Sequence, residues 1–220
     1  MNEKRPFAVL FDLDGTLIDS IGLLLECVHH TFEGLTPAPT DEEWIAGIGT
    51  PLRNQLAAYT TTDAEIERLT DRYRIYQREH HDRLTAAFPT TLDTLLKLER
   101  HGHPMGVVTS KSNEMMDRGL RWTRLHSFMQ TRIGANSCNR HKPDPFPVLM
   151  ALDELGYKPN EAVFVGDSPH DIASGNAAGV ISIAALWGPF TREQLEPYHP
   201  SHYLNDIAEL PPLLERLQAA

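Results

Sequence analysis

Short apolar runs alternate with amphipathic stretches along most of the chain, and the apolar runs stop abruptly at polar residues. Residues 7–13 form one such run, ending among aspartates. Residues 91–99 carry Leu92, Leu95, Leu96 and Leu98 at helical spacing, with Gly102 as the stop. Residues 105–108 predict a strand ending at Thr109, residues 114–125 a helix, and residues 131–135 a weaker strand. Residues 145–155 predict a helix closed by Gly156, and residues 162–165 another strand. A helix from about 170 to 178, a strand over 180–186 and a last helix over 206–217 complete the pattern. Strands that alternate with helices imply βαβ units, so the expected fold is α/β: a doubly wound, Rossmann-like, mostly parallel sheet covered on both faces.

The interval 20–86 breaks this rhythm. Leu24, Val28, Thr31 or Phe32, and Leu35 recur at helical spacing, and Ile66, Leu69, Tyr73, Tyr76 and His80 step by three and four. With no convincing strand there, the interval predicts an α-helical cap inserted after the first strand. The core then comprises 1–19 and 87–220, with hinges at 19–22 and 87–90. A cap at that point lies over the C-terminal edge of the sheet, where open α/β folds bind ligands.

Composition narrows the function classes. At 220 residues and 41% hydrophobic, the chain can form one main domain with a smaller insert. Its formal charge of −10 disfavours nucleic acid and anionic membrane surfaces as partners, and leaves an anionic substrate to local cations and a metal. No apolar stretch is long enough for a membrane span, and the charged N-terminus lacks a signal-peptide core, which predicts a cytoplasmic protein. Cys27 and Cys138 stand apart without metal-ligand spacing and read as reduced thiols. The pairs His29-His30 and His80-His81 are sequence neighbours that cannot face one another on a helix, so surface or cap-interface positions are expected.

The chemistry gathers at strand ends. Asp12 and Asp14 in Phe11-Asp12-Leu13-Asp14-Gly15-Thr16 are two apart, and in a regular strand their carboxylates converge. Two such anions share a proton or a cation. Gly15 and Thr16 add a tight turn with free N–H groups suited to phosphate. A carboxylate pair, a divalent metal and a phosphate make a site for phosphoryl transfer. Thr109, Ser110 and Lys111 follow one strand, and Gly166-Asp167-Ser168-Pro169-His170-Asp171 another, with Lys142 of Lys142-Pro143 between them. Each alone has an ordinary explanation: a helix cap, a dipole-stabilising aspartate, a solvated lysine. A doubly wound sheet brings all of them to one edge.

These motifs, in this order, resemble those of haloacid-dehalogenase-type phosphohydrolases, in the phosphoglycolate phosphatase-like branch with a helical cap. The resemblance spans essentially the whole chain. It implies that Asp12 is the nucleophile forming an aspartyl-phosphate, and that Asp14 is the acid and base. Mg²⁺ is then held by the Asp12 carboxylate, the Asp14 backbone carbonyl and Asp167. Thr109 and Lys142 are expected to bind the phosphoryl oxygens, and Thr16, Ser110 and Lys111 to line the phosphate pocket. Asp171 orients Lys142 or a metal-bound water. Asp14 argues against carbon–halogen cleavage, because halide leaves without a proton.

Substrate choice belongs to the cap. The stretch Gly47-Ile48-Gly49-Thr50-Pro51-Leu52-Arg53 resembles the specificity loop of helical-capped relatives, and Arg53 is the candidate ligand for a substrate carboxylate or second phosphate, against the alternative of a solvated helix face. Trp187-Gly188-Pro189 resembles a loop of phosphoglycolate phosphatase-like and pyrophosphatase-like proteins and reads as packing near the cleft. The expected partner is a small phosphorylated metabolite, nominally phosphoglycolate. Pyrophosphate, a damaged sugar phosphate, a phosphomutase activity and a non-catalytic binding module are the alternatives. No residue pattern specifies an oligomeric state.

Overall fold

The computed structural model describes residues 5–219. The first four residues and Ala220, assigned above to the core, lie outside the described residues, as does most of the charged N-terminus. The chain runs through β1 (Ala8–Phe11), β2 (Ile18–Asp19), α1 (Ile21–Phe32), α2 (Asp41–Ala46), α3 (Leu52–Leu56), α4 (Asp63–His80) and β3 (Ala86–Ala87). It continues with α5 (Thr91–Arg100), β4 (Met105–Val108), α6 (Asn113–Trp122), β5 (Met129–Ile133), α7 (Phe146–Leu155), β6 (Ala162–Gly166) and α8 (Pro169–Ala178). Last come β7 (Ile181–Ala185), α9 (Arg192–Leu195), β8 (His202–Leu204) and α10 (Leu210–Ala219).

Six strands form one parallel sheet in the order β5-β4-β1-β6-β7-β8. Alternation along β1 decides how its faces are covered. Val9 and Phe11 join a cluster with Leu95, Leu98, Met116, Leu120, Leu210 and Leu214 from α5, α6 and α10. Ala8 and Leu10 face the other way, into a cluster with Val148, Ala151, Leu152 and Ala178 from α7 and α8. With both faces buried, the central strands β1, β4 and β6 have no polar alternation, which is why they read as continuous apolar runs, whereas the edge strand β5 alternates. The chain builds outward from β1 to β4 and β5, then crosses to β6 on the other side. The carboxyl end of β1 is therefore the point where the winding reverses, and a crevice opens there.

The interval after β1 is helical, with its own apolar cluster. Leu23, Cys27 and Val28 of α1 meet Ile66, Leu69 and Tyr73 of α4, with Trp44 of α2 and Leu56 of α3 closing the cluster. Each fully buried leucine or comparable side chain contributes roughly 1.5–3 kcal/mol, so this unit carries a hydrophobic core separate from the sheet. A capping box between Thr40 and Glu43 starts α2. Ile45 reaches across to pack on a sheet-side cluster of Ile172, Ala184, Phe190 and Leu195.

Several details differ from the sequence expectations. The two crossings between helical unit and sheet form a short antiparallel ribbon, with Ile18 opposite Ala87 and Asp19 opposite Ala86. Two-residue strands are too short to leave an alternation signal. The strand expected at 131–135 lies two residues earlier, at β5. The last helix is preceded by a short 3₁₀ turn at Ile207–Glu209, because Pro211 and Pro212 confine the α-helix start to Leu210. The histidine pairs divide: His29 bonds Asp41 at the surface, and His81 is fully buried beside Asp82, against Gly119 of α6.

Candidate active site

β1 stops at Phe11, and its last backbone bond runs from Asp12 N to Val165 O at 2.9 Å. Leu13–Ile18 then turn back sharply, Gly15 N donating to Ile18 O. The strand therefore ends before the Asp12–Asp14 pair, whose residues line one cavity but share no lysine. Each aspartate instead has its own lysine. Lys142 Nζ lies 2.6 Å from Asp12 Oδ1 and 2.5 Å from Asp171 Oδ1. Lys111 Nζ lies 2.5 Å from Asp14 Oδ1, the same oxygen that accepts from Ser20 Oγ at 2.5 Å.

A second carboxylate cluster forms between β1 and β6. Oxygens of Asp12, Asp167 and Asp171 lie within 4.8 Å of one another, all three residues buried, while the Asp14 side chain is not a member. Ser168 caps α8 and holds Asp171 by its backbone N–H (3.0 Å) and hydroxyl (2.6 Å), both donating to Oδ2. With Oδ1 on Lys142, both Asp171 oxygens are engaged. Asp167 differs. Its Oδ1 accepts from the Thr16 hydroxyl at 2.7 Å, but Oδ2 is buried with no hydrogen-bond partner among the described residues.

The electrostatics follow from three carboxylates around one ammonium. Burial pushes the Asp12 carboxyl up to about 7; Lys142 pulls it down, and Asp171 and Asp14 add to the rise. Burial, then the charges of Asp171 and Asp12, hold Asp167 well above the ordinary carboxylate range. Burial alone would lower Lys142, yet Asp12 and Asp171 outweigh it and raise its affinity for the proton. The cluster lacks positive charge. An unpartnered buried Asp167 oxygen, an all-oxygen donor set and that deficit fit a hard divalent cation. The backbone crowds the same carboxylate: a Cβ on Gly15 would lie 2.7 Å from Asp167 Oδ2, and one on Gly188 would collide with Asp167 Cβ.

Above the sheet edge lies a cavity of about 310 Å³, lined by Asp12, Asp14, Thr109, Ser110 and Lys111 on the sheet side and by Trp44, Tyr73, Arg53, Arg74 and Gln77 on the helical side. Lys142 touches it only through Asp12, and it also donates to Val108 O. Thr109 gives its N–H to Ile133 O, and its hydroxyl oxygen accepts from Lys111 N, which leaves the hydroxyl proton for a ligand.

Of three further sequence candidates, Thr16 lies outside the cavity, while Ser110 and Arg53 line it with their polar groups engaged elsewhere. Thr16 is fully buried and outside the cavity lining; its hydroxyl supports Asp167 and its carbonyl accepts from Trp187 Nε1 at 2.9 Å. The Ser110 hydroxyl donates to Gly49 O. Arg53 lines the cavity, but its guanidinium lies 2.6 Å from the exposed Asp63. Ser20 is an addition that the motifs do not reveal: it occupies the N-cap of α1, a position that accounts for a serine by itself, yet its hydroxyl goes to Asp14 and not to the helix. Gln77 and Tyr73 are hidden by their helical spacing, which reads as core.

Residues 9–185 match the family model of haloacid dehalogenase-like hydrolases. A protein of Bacillus velezensis named pyrophosphatase PpaX is 33% identical over 211 residues, covering 96% of this chain and 97% of that protein. A solved structure from Bacteroides fragilis, described as a candidate haloacid dehalogenase-like hydrolase, superposes with a TM-score of 0.86 at 29% identity, covering 94% of this chain and 100% of that one. A Haemophilus somnus structure named a predicted phosphoglycolate phosphatase shares the fold, with a TM-score of 0.84 at 22% identity, covering 94% and 96% of the two chains. Among the described residues no helix is long and apolar enough to cross a membrane.

Proposed function

We propose that this chain, which belongs to the haloacid dehalogenase-like hydrolases and is a hydrolase of the phosphatase type, cleaves a small phosphate compound, pyrophosphate first, through a covalent phosphate on Asp12. The observation that carries the reading is the cluster of Asp12, Asp167 and Asp171 around Lys142, with Asp167 Oδ2 left without a partner among the described residues. Asp12, Asp167 and the Asp14 backbone carbonyl are the groups assigned to Mg²⁺. Bound there, the ion offsets the repulsion between a carboxylate and a phosphate anion. Asp171 positions Lys142, since both of its oxygens are already engaged.

The chemistry of the chain's own groups is a two-step displacement. An Asp12 oxygen bonds to phosphorus as the bridging P–O bond breaks, and Asp14 gives its proton to the departing phosphate. Water then attacks the same phosphorus, Asp14 takes its proton, and the Asp12 carboxylate is freed with a second phosphate. Lys142 engages Asp12 through Oδ1 alone, which leaves Oδ2 for the attack. Thr109 donates its free hydroxyl proton to a phosphoryl oxygen, and Lys111 holds Asp14 in place. Residues 20–86 act as the cap over a core of 1–19 and 87–220, and Trp44, Tyr73, Gln77 and Arg74 form its side of the chamber.

Pyrophosphate is favoured by the modest cavity, by Arg53, Arg74 and Lys111 as cations for a second phosphate, and by the name of the relative from Bacillus velezensis. The test is phosphate release from pyrophosphate, phosphoglycolate and several pentose and hexose phosphates, with Mg²⁺ and with chelator. Metal-dependent release with the highest kcat/KM on pyrophosphate is expected. A preference for phosphoglycolate overturns the substrate and keeps the chemistry; release from none, or release unaffected by chelator, overturns both.

A further inference from the structure

The turn 47–51 joins α2 to α3 and is braced from within. The Thr50 hydroxyl donates to Gly47 O at 2.8 Å, Thr50 N to the same oxygen at 3.2 Å, and Gln55 Nε2 to Thr50 O at 3.2 Å. Its tip, Gly49, touches the sheet side at two places that flank Asp12. After β4, Ser110 Oγ donates to Gly49 O at 2.5 Å. After β6, the fit is close enough that a Cβ on Gly49 would lie 2.8 Å from Ser168 Oγ and 3.1 Å from His170 Cδ2. Gly49 also has φ +100, in the left-handed region that side chains disfavour. Ser168 is the residue that holds Asp171, and Asp171 holds Lys142. One rigid tip therefore touches the loop carrying Thr109 and Lys111, and the helix start that positions the lysine of Asp12.

A serine hydroxyl has one proton to give, and here Ser110 gives it to a backbone carbonyl of the helical unit. It is left unable to donate to a phosphoryl oxygen in this arrangement. We propose that Ser110 is a positioning residue: its bond to Gly49 O fastens the helical unit onto the sheet edge and registers the Thr109–Lys111 loop with the chamber above it. Ile45, packed on Phe190 and Ile172, supplies the apolar part of the same contact. The proposal rests on the phosphatase reading only for its kinetic consequences, since the fastening itself can be measured without turnover.

The experiment pairs an interspin distance measurement with a double-mutant cycle on the full chain. Spin labels at Glu42 of α2 and Glu193 of α9, both exposed, straddle the contact, in a Cys138→Ser background because Cys27 is buried. Ser110→Ala should raise the ratio of separated to seated conformers about fivefold, the equivalent of one ordinary hydrogen bond, and Ser110→Thr should restore the original distribution. With pyrophosphate as the probe, Ser110→Ala should lower kcat/KM by a similar factor, and Gly49→Ala by more. The double variant should be no worse than Gly49→Ala alone, because both remove one contact. A distance distribution unchanged by Ser110→Ala overturns the proposal, as do losses that multiply in the double variant, the signature of an independent phosphate ligand. If pyrophosphate is not turned over, the choice of pyrophosphate fails and the distances alone decide the fastening.

Discussion

The buried carboxylates make metal-free stability depend on pH in a direction opposite to ordinary acid denaturation. Asp12 binds its proton up to about 7 in the folded chain, against 3.8 for an unperturbed aspartate. Folding therefore takes up a proton between those two values. The associated stability is fully present below about 3.8, declines as pH rises, and is gone above about 7. Each tenfold gain in proton affinity is worth about 1.4 kcal/mol, so the loss is on the order of 4 kcal/mol, a large part of the stability of an ordinary domain. Asp167 is raised for the same reasons and moves stability in the same direction. Surface carboxylates held low by arginines, such as Asp82 and Glu114, act in the opposite sense. They are common to a variant that neutralises the site, so a difference isolates the cluster. Urea unfolding of the native chain and of Asp12→Asn, in chelator at several pH values between 4.5 and 7.5, provides the measurement. The variant should gain on the native chain as pH rises, by a few kcal/mol over the range. Excess Mg²⁺ at pH 7.5 should shrink the gap, since a dication supplies the missing charge. A difference that stays flat to within about 1 kcal/mol would refute the electrostatic account of the cluster.

Asp12→Asn should also leave less than about 1% of turnover with the fold intact by circular dichroism; greater residual activity contradicts the nucleophile assignment. Gly188→Ala should drive a methyl into Asp167 and raise the Mg²⁺ concentration for half-maximal activity at least tenfold; an unchanged metal titration removes that carboxylate from the metal site. Ca²⁺ in place of Mg²⁺ should support turnover poorly, because its looser coordination misplaces the nucleophile, and full activity in Ca²⁺ counts against the role given to the metal. Arg53→Ala should raise KM for pyrophosphate more than it lowers kcat on a small generic ester, and an unchanged KM assigns Arg53 to its surface partner Asp63.

The sheet is readable because its strands are buried on both faces. Residues 7–11, 105–108 and 162–165 are apolar without interruption, and polar chemistry begins just beyond each. β8, β2 and β3 are not readable, because an edge strand of three residues and a ribbon of two lack the length for any period to appear. Asp12, Lys142, Asp167 and Asp171 stand out as residue types at strand ends, and the structure brings these four together. Partner choice is invisible. The motif resemblance gives Lys142 and Lys111 to the same pocket, and nothing in the spacing pairs Lys111 with Asp14. Hydroxyl groups are the least legible: Thr16, Ser20 and Ser110 sit in polar turns where a phosphate ligand, a helix cap and a tertiary bond all call for the same residue.

The ribbon of β2 and β3 makes the helical unit exchangeable. Its two ends leave and rejoin the sheet as hydrogen-bonded neighbours, Asp19 facing Ala86, so the path of the six-stranded sheet is indifferent to what is spliced between them. A loop inserted between ends that are already side by side costs only slowly increasing closure entropy as it lengthens. An insert of another length or architecture can therefore occupy the same gap without altering the path of β1 or β6, the strands that lead to Asp12 and Asp167. Variation in the inserted segment and preservation of the phosphate chemistry become separate problems for evolution, and for an engineer who wants a new substrate on an old catalyst.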